Sequence, residues 1–380
     1  MKLKKALLVC LLPAFVISGC GKTTTDETEN TTKQESAVEE TVQDEQETGD
    51  TETESESEAS GEAADKETEA SKDLFAMDTY MTLTAYGEHA QEAVDKAAER
   101  VEALDALLST GNENSEIYQL NQNGEATLSE EGGYLVERAL ELYKKTEGAF
   151  DIAIYPVMQA WGFPTQDYHV PDDDTLKEKL ALADASKVNY DKDTRKIFFD
   201  QDGMEIDLGG IAKGYTSSQI MQIYQDCGVT SGLVNLGGNV QALGCKTDGS
   251  KWRVAIQSPD DTEEYLGILE IEDQAVITSG GYERYFEEDG VTYHHIIDPA
   301  IGYPADSGLI SVTIVSDDGT LADGLSTSLF IMGEEKAAQF WRENSDEFEA
   351  IMETSDGELY VTEGIADSLT TDMDVTVIEK

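Results

Sequence analysis

The chain has 380 residues and is strongly acidic: 79 Asp and Glu face 26 Lys and Arg, a formal net charge of −53 at pH 7. That balance excludes nucleic acid as a partner, because phosphate backbones are bound by arrays of Lys and Arg. It also means that an anionic ligand must meet a local exception: backbone N–H groups, a metal ion or a few focused cations.

At the start, Lys2, Lys4 and Lys5 precede an apolar run over residues 6–17 that ends in Ser18-Gly19-Cys20. The run is shorter than the ~20 residues a bilayer-spanning helix needs. The pattern predicts a lipoprotein signal peptide over residues 1–19, with Cys20 lipidated and the protein anchored at the extracytoplasmic face of a cell membrane. Residues 20–72 read as an acidic tether. Within it, residues 22–72 hold 18 Asp/Glu against 4 Lys/Arg and no aromatic residue, too little apolar surface to offset chain entropy. Setting aside +3 from the signal and −14 from the tether leaves −42 on residues 73–380, which are long enough for one substantial catalytic domain. Only Cys227 and Cys245 fall inside that domain, leaving free thiols or a single bridge open.

Residues 77–86 alternate as a strand does, and 88–108 carry apolar residues at helical spacing. Helices are predicted over 132–145 and 171–182, then short strands near Val188 and Ile197 and over 204–208. A helix over 211–226 is entered through Gly209-Gly210. Strands follow near Leu233 and Val240 and over 252–257, 266–271, 275–278, 282–286, 291–297 and 310–315. Helices over 321–332 and 335–343 come next. Tight hairpin-like runs dominate the middle, which predicts an α+β fold with a mixed, largely antiparallel sheet and packed helices.

Three stretches carry chemistry. Gly209 and Gly210 open a helix whose first N–H groups are unpaired and suit a phosphate, with Lys213 adding charge; a plain packing turn is the alternative. His294 and His295 precede Asp298-Pro299, and because strand neighbours face opposite sides only one of them can face a site, His295 sharing its face with Ile297. Asp323 and Thr327 lie one helical turn apart, a carboxylate and hydroxyl set suited to Mg²⁺; a helix-start Asp and a backbone-bonded Thr are the ordinary reading. Trp161 and Phe163, after Gly148-Ala149-Phe150-Asp151, read as core. Together the stretches point to an enzyme that handles a phosphorylated ligand with a divalent cation.

Eight motifs then appear in order: Phe75-Ala76-Met77-Asp78-Thr79, Leu108-Ser109, Gly148-Ala149-Phe150-Asp151 with Trp161-Gly162-Phe163, Asp207-Leu208-Gly209-Gly210-Ile211-Ala212-Lys213-Gly214, Asn235-Leu236-Gly237-Gly238, Thr278-Ser279-Gly280, His295-Ile296-Ile297-Asp298-Pro299, and Ala322-Asp323-Gly324-Leu325-Ser326-Thr327. Over residues 73–365 the chain resembles the ApbE-type FAD:protein FMN transferases, a family of flavin transferase lipoproteins. The resemblance implies a tunnelling-like α+β fold with an FAD cleft. It implies Mg²⁺-dependent cleavage of FAD as substrate, with AMP released and FMN esterified to a Thr or Ser hydroxyl. The acceptor would be a flavoprotein subunit or domain of an extracytoplasmic or membrane electron-transfer system. Carried over by position, Asp323 and Thr327 would ligate Mg²⁺ with backbone carbonyls near Gly210 and Ser326. Met77, Ala149, Phe150, Asp151, Asp207, Lys213 and Ile297 would line the FAD site, and His295 would assist proton transfer.

Two positions depart from the family pattern. Gly111 stands where many relatives place a Tyr over the flavin, which opens room for water and makes an FAD pyrophosphatase giving FMN and AMP the alternative activity. Ala300-Ile301 replace an Arg-Thr pair, removing a cation and a hydroxyl from the turn after Asp298-Pro299. A non-catalytic flavin-binding lipoprotein is the third reading, opposed by the Asp323/Thr327 pair.

Overall fold

In the strand Leu309–Ser316, Val312 and Ile314 enter one hydrophobic core and Val315 enters another. A strand buried on both faces belongs to a sheet covered on both sides. The computed structural model describes residues 68–380 except 260, 262 and 263. Cys20, the signal peptide and most of the acidic tether lie outside the described residues.

The covered sheet has nine strands, in the spatial order Glu69–Ala76, Thr79–Tyr86, Ser231–Leu236, Asn239–Leu243, Ala275–Gly280, Leu309–Ser316, Glu349–Thr354, Leu359–Thr362 and Val375–Ile378. Neighbours are antiparallel up to the last pair, which is parallel. The predicted fold class therefore holds. Ordered pairing starts at Glu69 and takes in the last four residues of the stretch read as tether, because Glu69 to Lys72 pair with Leu83 to Tyr86.

Helices Ala90–Leu108, Glu130–Lys145, Gly209–Asp226 and Gly319–Met332 lie on one side of this sheet, the second of them packing on the last two. The first buries Ala90, Val94, Ala97, Ala98, Val101, Leu104 and Leu108, the stripe its sequence period marks. The second starts on Ser129, whose Oγ accepts from Gly132 N, and it places Glu130 and Glu131 in its first turn and Lys144 and Lys145 in its last. Both ends complement the helix dipole. On the other side of the sheet a three-stranded layer packs Trp252, Val254, Leu266 and Leu269 against Val276, Val315 and Ile351.

Several elements differ from expectation. Residues 204–208 form no strand, although Met204, Ile206 and Leu208 are buried in alternation. Their partner is a side chain: Asn121 Nδ2 donates to Ile206 O and Ile206 N donates to Asn121 Oδ1, both at 2.8 Å. The hairpin expected over 282–297 shrinks to Tyr285–Glu288 paired with Val291–His294, turning at Asp289 and Gly290 with φ 52° and 79°. Two helices, Glu116–Asn123 and Tyr155–Ala160, were not anticipated. Cys227 and Cys245 are free thiols. No helix among the described residues is long and apolar enough to cross a membrane.

Candidate active site

Two glycines set the site's geometry. A Cβ on Gly214 would lie 2.1 Å from Gly319 O and 2.7 Å from Asp323 Cβ, so helices Gly209–Asp226 and Gly319–Met332 touch backbone to backbone. This closeness lets Asp323 reach the neighbouring helix, where its Oδ2 accepts from Gly214 N at 2.8 Å. Its Oδ1 accepts from Asn239 Nδ2 at 2.9 Å. Asp323 is 6% exposed. Burial pushes its pKa up, and the nearby Lys213 charge and the Gly214 N–H oppose that rise. Lys213 Nζ in turn donates to Asn239 Oδ1 at 3.4 Å.

One turn along from Asp323, the hydroxyls gather. Ser279 Oγ lies 2.8 Å from Ser326 Oγ and 3.3 Å from Thr327 Oγ1, and Ser326 Oγ donates to Asp323 O at 2.8 Å. No cluster of three or more His, Cys, Asp or Glu suited to a metal occurs among the described residues. One carboxylate flanked by hydroxyls would suit Mg²⁺, a hard cation that takes one or two carboxylates and fills its shell with water and substrate phosphate. Each Asp323 oxygen accepts one N–H, and a carboxylate has about four acceptor positions, so lone pairs remain for a cation.

The two histidines separate, although the strand ends at His294. His294 Nε2 meets Ala305 O at 3.1 Å while its Nδ1 accepts from Ile296 N at 3.3 Å, so both ring nitrogens serve the fold. His295 Nδ1 lies 3.1 Å from Arg284 O. A carbonyl only accepts, so Nδ1 carries the proton and Nε2 keeps its lone pair. Burial, aided by the Arg284 charge, pushes the His295 pKa down to about 3. Its ring stands against Phe163, which also packs on Ile297, so His295 and Ile297 do share a side.

Arg284 links several of these groups. Its guanidinium donates to Phe163 O and lies over the Phe163 ring at 5.9 Å. Its charge acts on both His295 and Asp207. Next to it, Glu283 is exposed to solvent and lies within electrostatic reach of Lys213 and Asp323.

The helix start differs from expectation. Asp207 Oδ1 accepts Gly209 N at 2.9 Å, and Leu208 O accepts both Ile211 N and Ala212 N at 3.0 Å. Three of the four N–H groups read as a phosphate cradle are thus paired within the chain, and Asp207 acts as a local cap. Its carboxyl is pushed up by burial and held back by Gly209 N–H and Arg284. Phe150 presses on Gly210, its Cε2 2.9 Å from where a Cβ would stand. Ala149 N donates to Thr146 O, and Asp151 is a clasp: Oδ1 accepts Ala153 N at 2.7 Å and Oδ2 accepts Ala185 N at 3.1 Å. Burial raises the Asp151 pKa to about 6.

Met77 and Asp78 turn between the first two strands with φ 50° and 59°, a left-handed pair that costs energy for a bulky side chain. Met77 N donates to Asp105 Oδ1 at 3.1 Å, and its sulfur faces Thr216 Oγ1 at 3.8 Å on the same helix as Lys213. Gly111 is exposed, and a Cβ there would meet only Ser109 Oγ at 3.9 Å. Asp323, Thr327, Ser326 and Lys213 therefore form one hydrogen-bonded group through Asn239 and Ser279, while the Arg284 charge acts on His295 and Asp207. Asn239, Ser279, Glu283 and Arg284 were missed as site residues. Asn239 and Ser279 lay beside or inside motifs already in view; Glu283 and Arg284 gave no spacing signal.

Comparison with known proteins assigns the chain to a family. Residues 77–352 match the model of the ApbE family. A Klebsiella pneumoniae (strain 342) protein named FAD:protein FMN transferase is 34% identical over 278 residues, covering 72% of this chain and 86% of that protein. One of the same name from Treponema pallidum (strain Nichols) is 35% identical over 296 residues, covering 72% and 82%. Among solved structures, the ApbE protein of Thermotoga maritima MSB8 has a TM-score of 0.74 at 29% identity, covering 78% of this chain and 98% of its own. The flavin transferase ApbE of Vibrio cholerae has a TM-score of 0.70 at 28% identity, covering 78% and 97%. With a family match across most of the described residues and relatives above 30% identity over most of their length, the chain belongs to the ApbE family.

Proposed function

We propose that this chain is a lipid-anchored FAD:protein FMN transferase that cleaves FAD at its pyrophosphate with Mg²⁺, releases AMP and esterifies FMN to a Thr or Ser hydroxyl of a partner flavoprotein outside the cytoplasm. The names carried by its relatives support flavin transfer. The observation that carries the finer reading is the Lys213–Asn239–Asp323 chain beside the Ser279, Ser326 and Thr327 hydroxyls. It sets one cation and one cation-binding carboxylate side by side in a domain of net charge −42.

In this reading the acceptor oxygen bonds to the FMN phosphorus, the P–O bond to AMP breaks, and the hydroxyl proton passes to a base. Bound Mg²⁺ supplies charge neutralisation on the pyrophosphate and on the leaving phosphate. Asp323 and Thr327, with the carbonyls of Gly210 and Ser326, would hold it. Lys213 would meet phosphate oxygens. Met77, Phe150, Asp207 and Ile297 would bound the flavin end. His295 offers the unprotonated Nε2, and because it is neutral it does not draw the pyrophosphate into an ion pair. An anion bound beside it raises its proton affinity when the hydroxyl attacks. Hydrolysis of FAD is the second reading, favoured by the open space at Gly111.

The test is AMP release from FAD and Mg²⁺ in membrane and soluble fractions. Asp323→Ala should cut the rate by about 100-fold or more, and Cys20→Ala should move an active protein into the soluble fraction. Near-normal release by the folded Asp323 variant contradicts the cation site, and membrane retention of a processed Cys20 variant contradicts the lipid anchor.

A further inference from the structure

Asn239 opens the strand Asn239–Leu243 directly after the Gly237-Gly238 turn, where φ is 64° and 96°. It is 2% exposed and touches both charged members of the site: Nδ2 donates to Asp323 Oδ1 at 2.9 Å and Oδ1 accepts from Lys213 Nζ at 3.4 Å. The orientation of the amide is fixed by its partners, since a carboxylate only accepts and an ammonium only donates.

We propose that Asn239 is a positioning residue that keeps Lys213 and Asp323 from forming an ion pair, so that the carboxylate stays open to a divalent cation and the ammonium stays open to the substrate's phosphate. Two opposite charges bonded to one small amide are near enough to collapse together if it is removed, and in a partly enclosed site their attraction is well above thermal energy. A direct pair would spend the single carboxylate of the cation site on an internal cation. It would also withdraw Lys213 from incoming anions. The amide gives each charge a hydrogen bond without neutralising either.

The inference rests on the reading of Asp323 as the cation ligand, and the test separates the two. MgCl₂ is titrated calorimetrically, without flavin, into the metal-stripped full chain and into Asn239→Leu, Lys213→Met and the double variant, with thermal unfolding as a check on folding. Asn239→Ala, which adds no bulk, runs in parallel in case the leucine does not fold. Removing the amide should weaken Mg²⁺ binding about tenfold when Lys213 is present and less than about twofold when it is Met. Equal weakening in both backgrounds would mean that the amide only supports the local fold, and no weakening would mean that it holds nothing apart; either result overturns the proposal. Asp323→Ala in the same titration checks the ground beneath it: unchanged Mg²⁺ binding there would remove the cation reading itself, and this inference with it.

Discussion

Adjacent histidines acquire different jobs from what their ring nitrogens touch. His294 spends both on backbone groups, whereas His295 spends only Nδ1, so the proton-accepting nitrogen is assigned by hydrogen bonding. The folded His295 pKa, about 3, lies below the unfolded value near 6.5. On acidification the unfolded chain takes up a proton that the folded one refuses, so stability present above pH 6.5 is lost as pH falls towards 3. Relative to His295→Asn, the wild type should lose about 1–2 kcal/mol between pH 6.5 and 5 in denaturant titrations. Parallel stability curves would contradict the neutral, confined imidazole. At this scale the sequence exposed Asp323 and Thr327 because one-turn spacing puts them on one face whatever the rest of the chain does. Asn239, Arg284 and Ser279 stayed hidden because their partners, Asp323, Asp207 and Thr327, come from distant segments. Those contacts exist only once the sheet has assembled.

Between elements, the contact of Gly214 with Gly319 sets how deep Asp323 can reach. Gly214→Ala forces a methyl into a space 2.1 Å from a carbonyl oxygen, and backbone cannot swing aside as a flexible side chain does. The helices should separate at a cost of about 1–3 kcal/mol, and AMP release should fall further than stability because the Gly214 N–H to Asp323 bond stretches. Urea unfolding and turnover measured together check this; an alanine variant with both unchanged would show that the close approach is not needed. The long helices were legible because period and caps agree, as with Ser129 before Glu130–Lys145. Glu116–Asn123 was overlooked although Ser115 caps it and Gly124 ends it with φ 73°; its eight residues are too few for a convincing period. Residues 204–208 have a strand's alternation without a ladder, since the amide of Asn121 stands in for a neighbouring strand. Alternation reports burial, and only the tertiary fold decides who supplies the hydrogen bonds.

For the whole molecule, the fold class was legible from short alternating runs and tight turns, and the motif order marked the family. The order of nine strands was not, because neighbours such as Ala275–Gly280 and Leu309–Ser316 pair across some thirty residues of intervening chain. An anionic dinucleotide is disfavoured over most of such an acidic surface, so in the proposed function Lys213, Arg284 and a bound cation would concentrate positive charge at the site. Residues 1–67, which contain Cys20, precede the described domain, and the anchor proposed there would hold the cleft near membrane-bound acceptors. Intact mass spectrometry tests the central claim most directly, with the full chain incubated with FAD, Mg²⁺ and candidate acceptor flavoprotein domains. The account predicts an acceptor heavier by one esterified FMN, mapped to a Thr or Ser, with AMP formed in equal amount and neither product with Asp323→Ala. AMP and free FMN with no adduct on any acceptor would contradict it and make the chain an FAD pyrophosphatase.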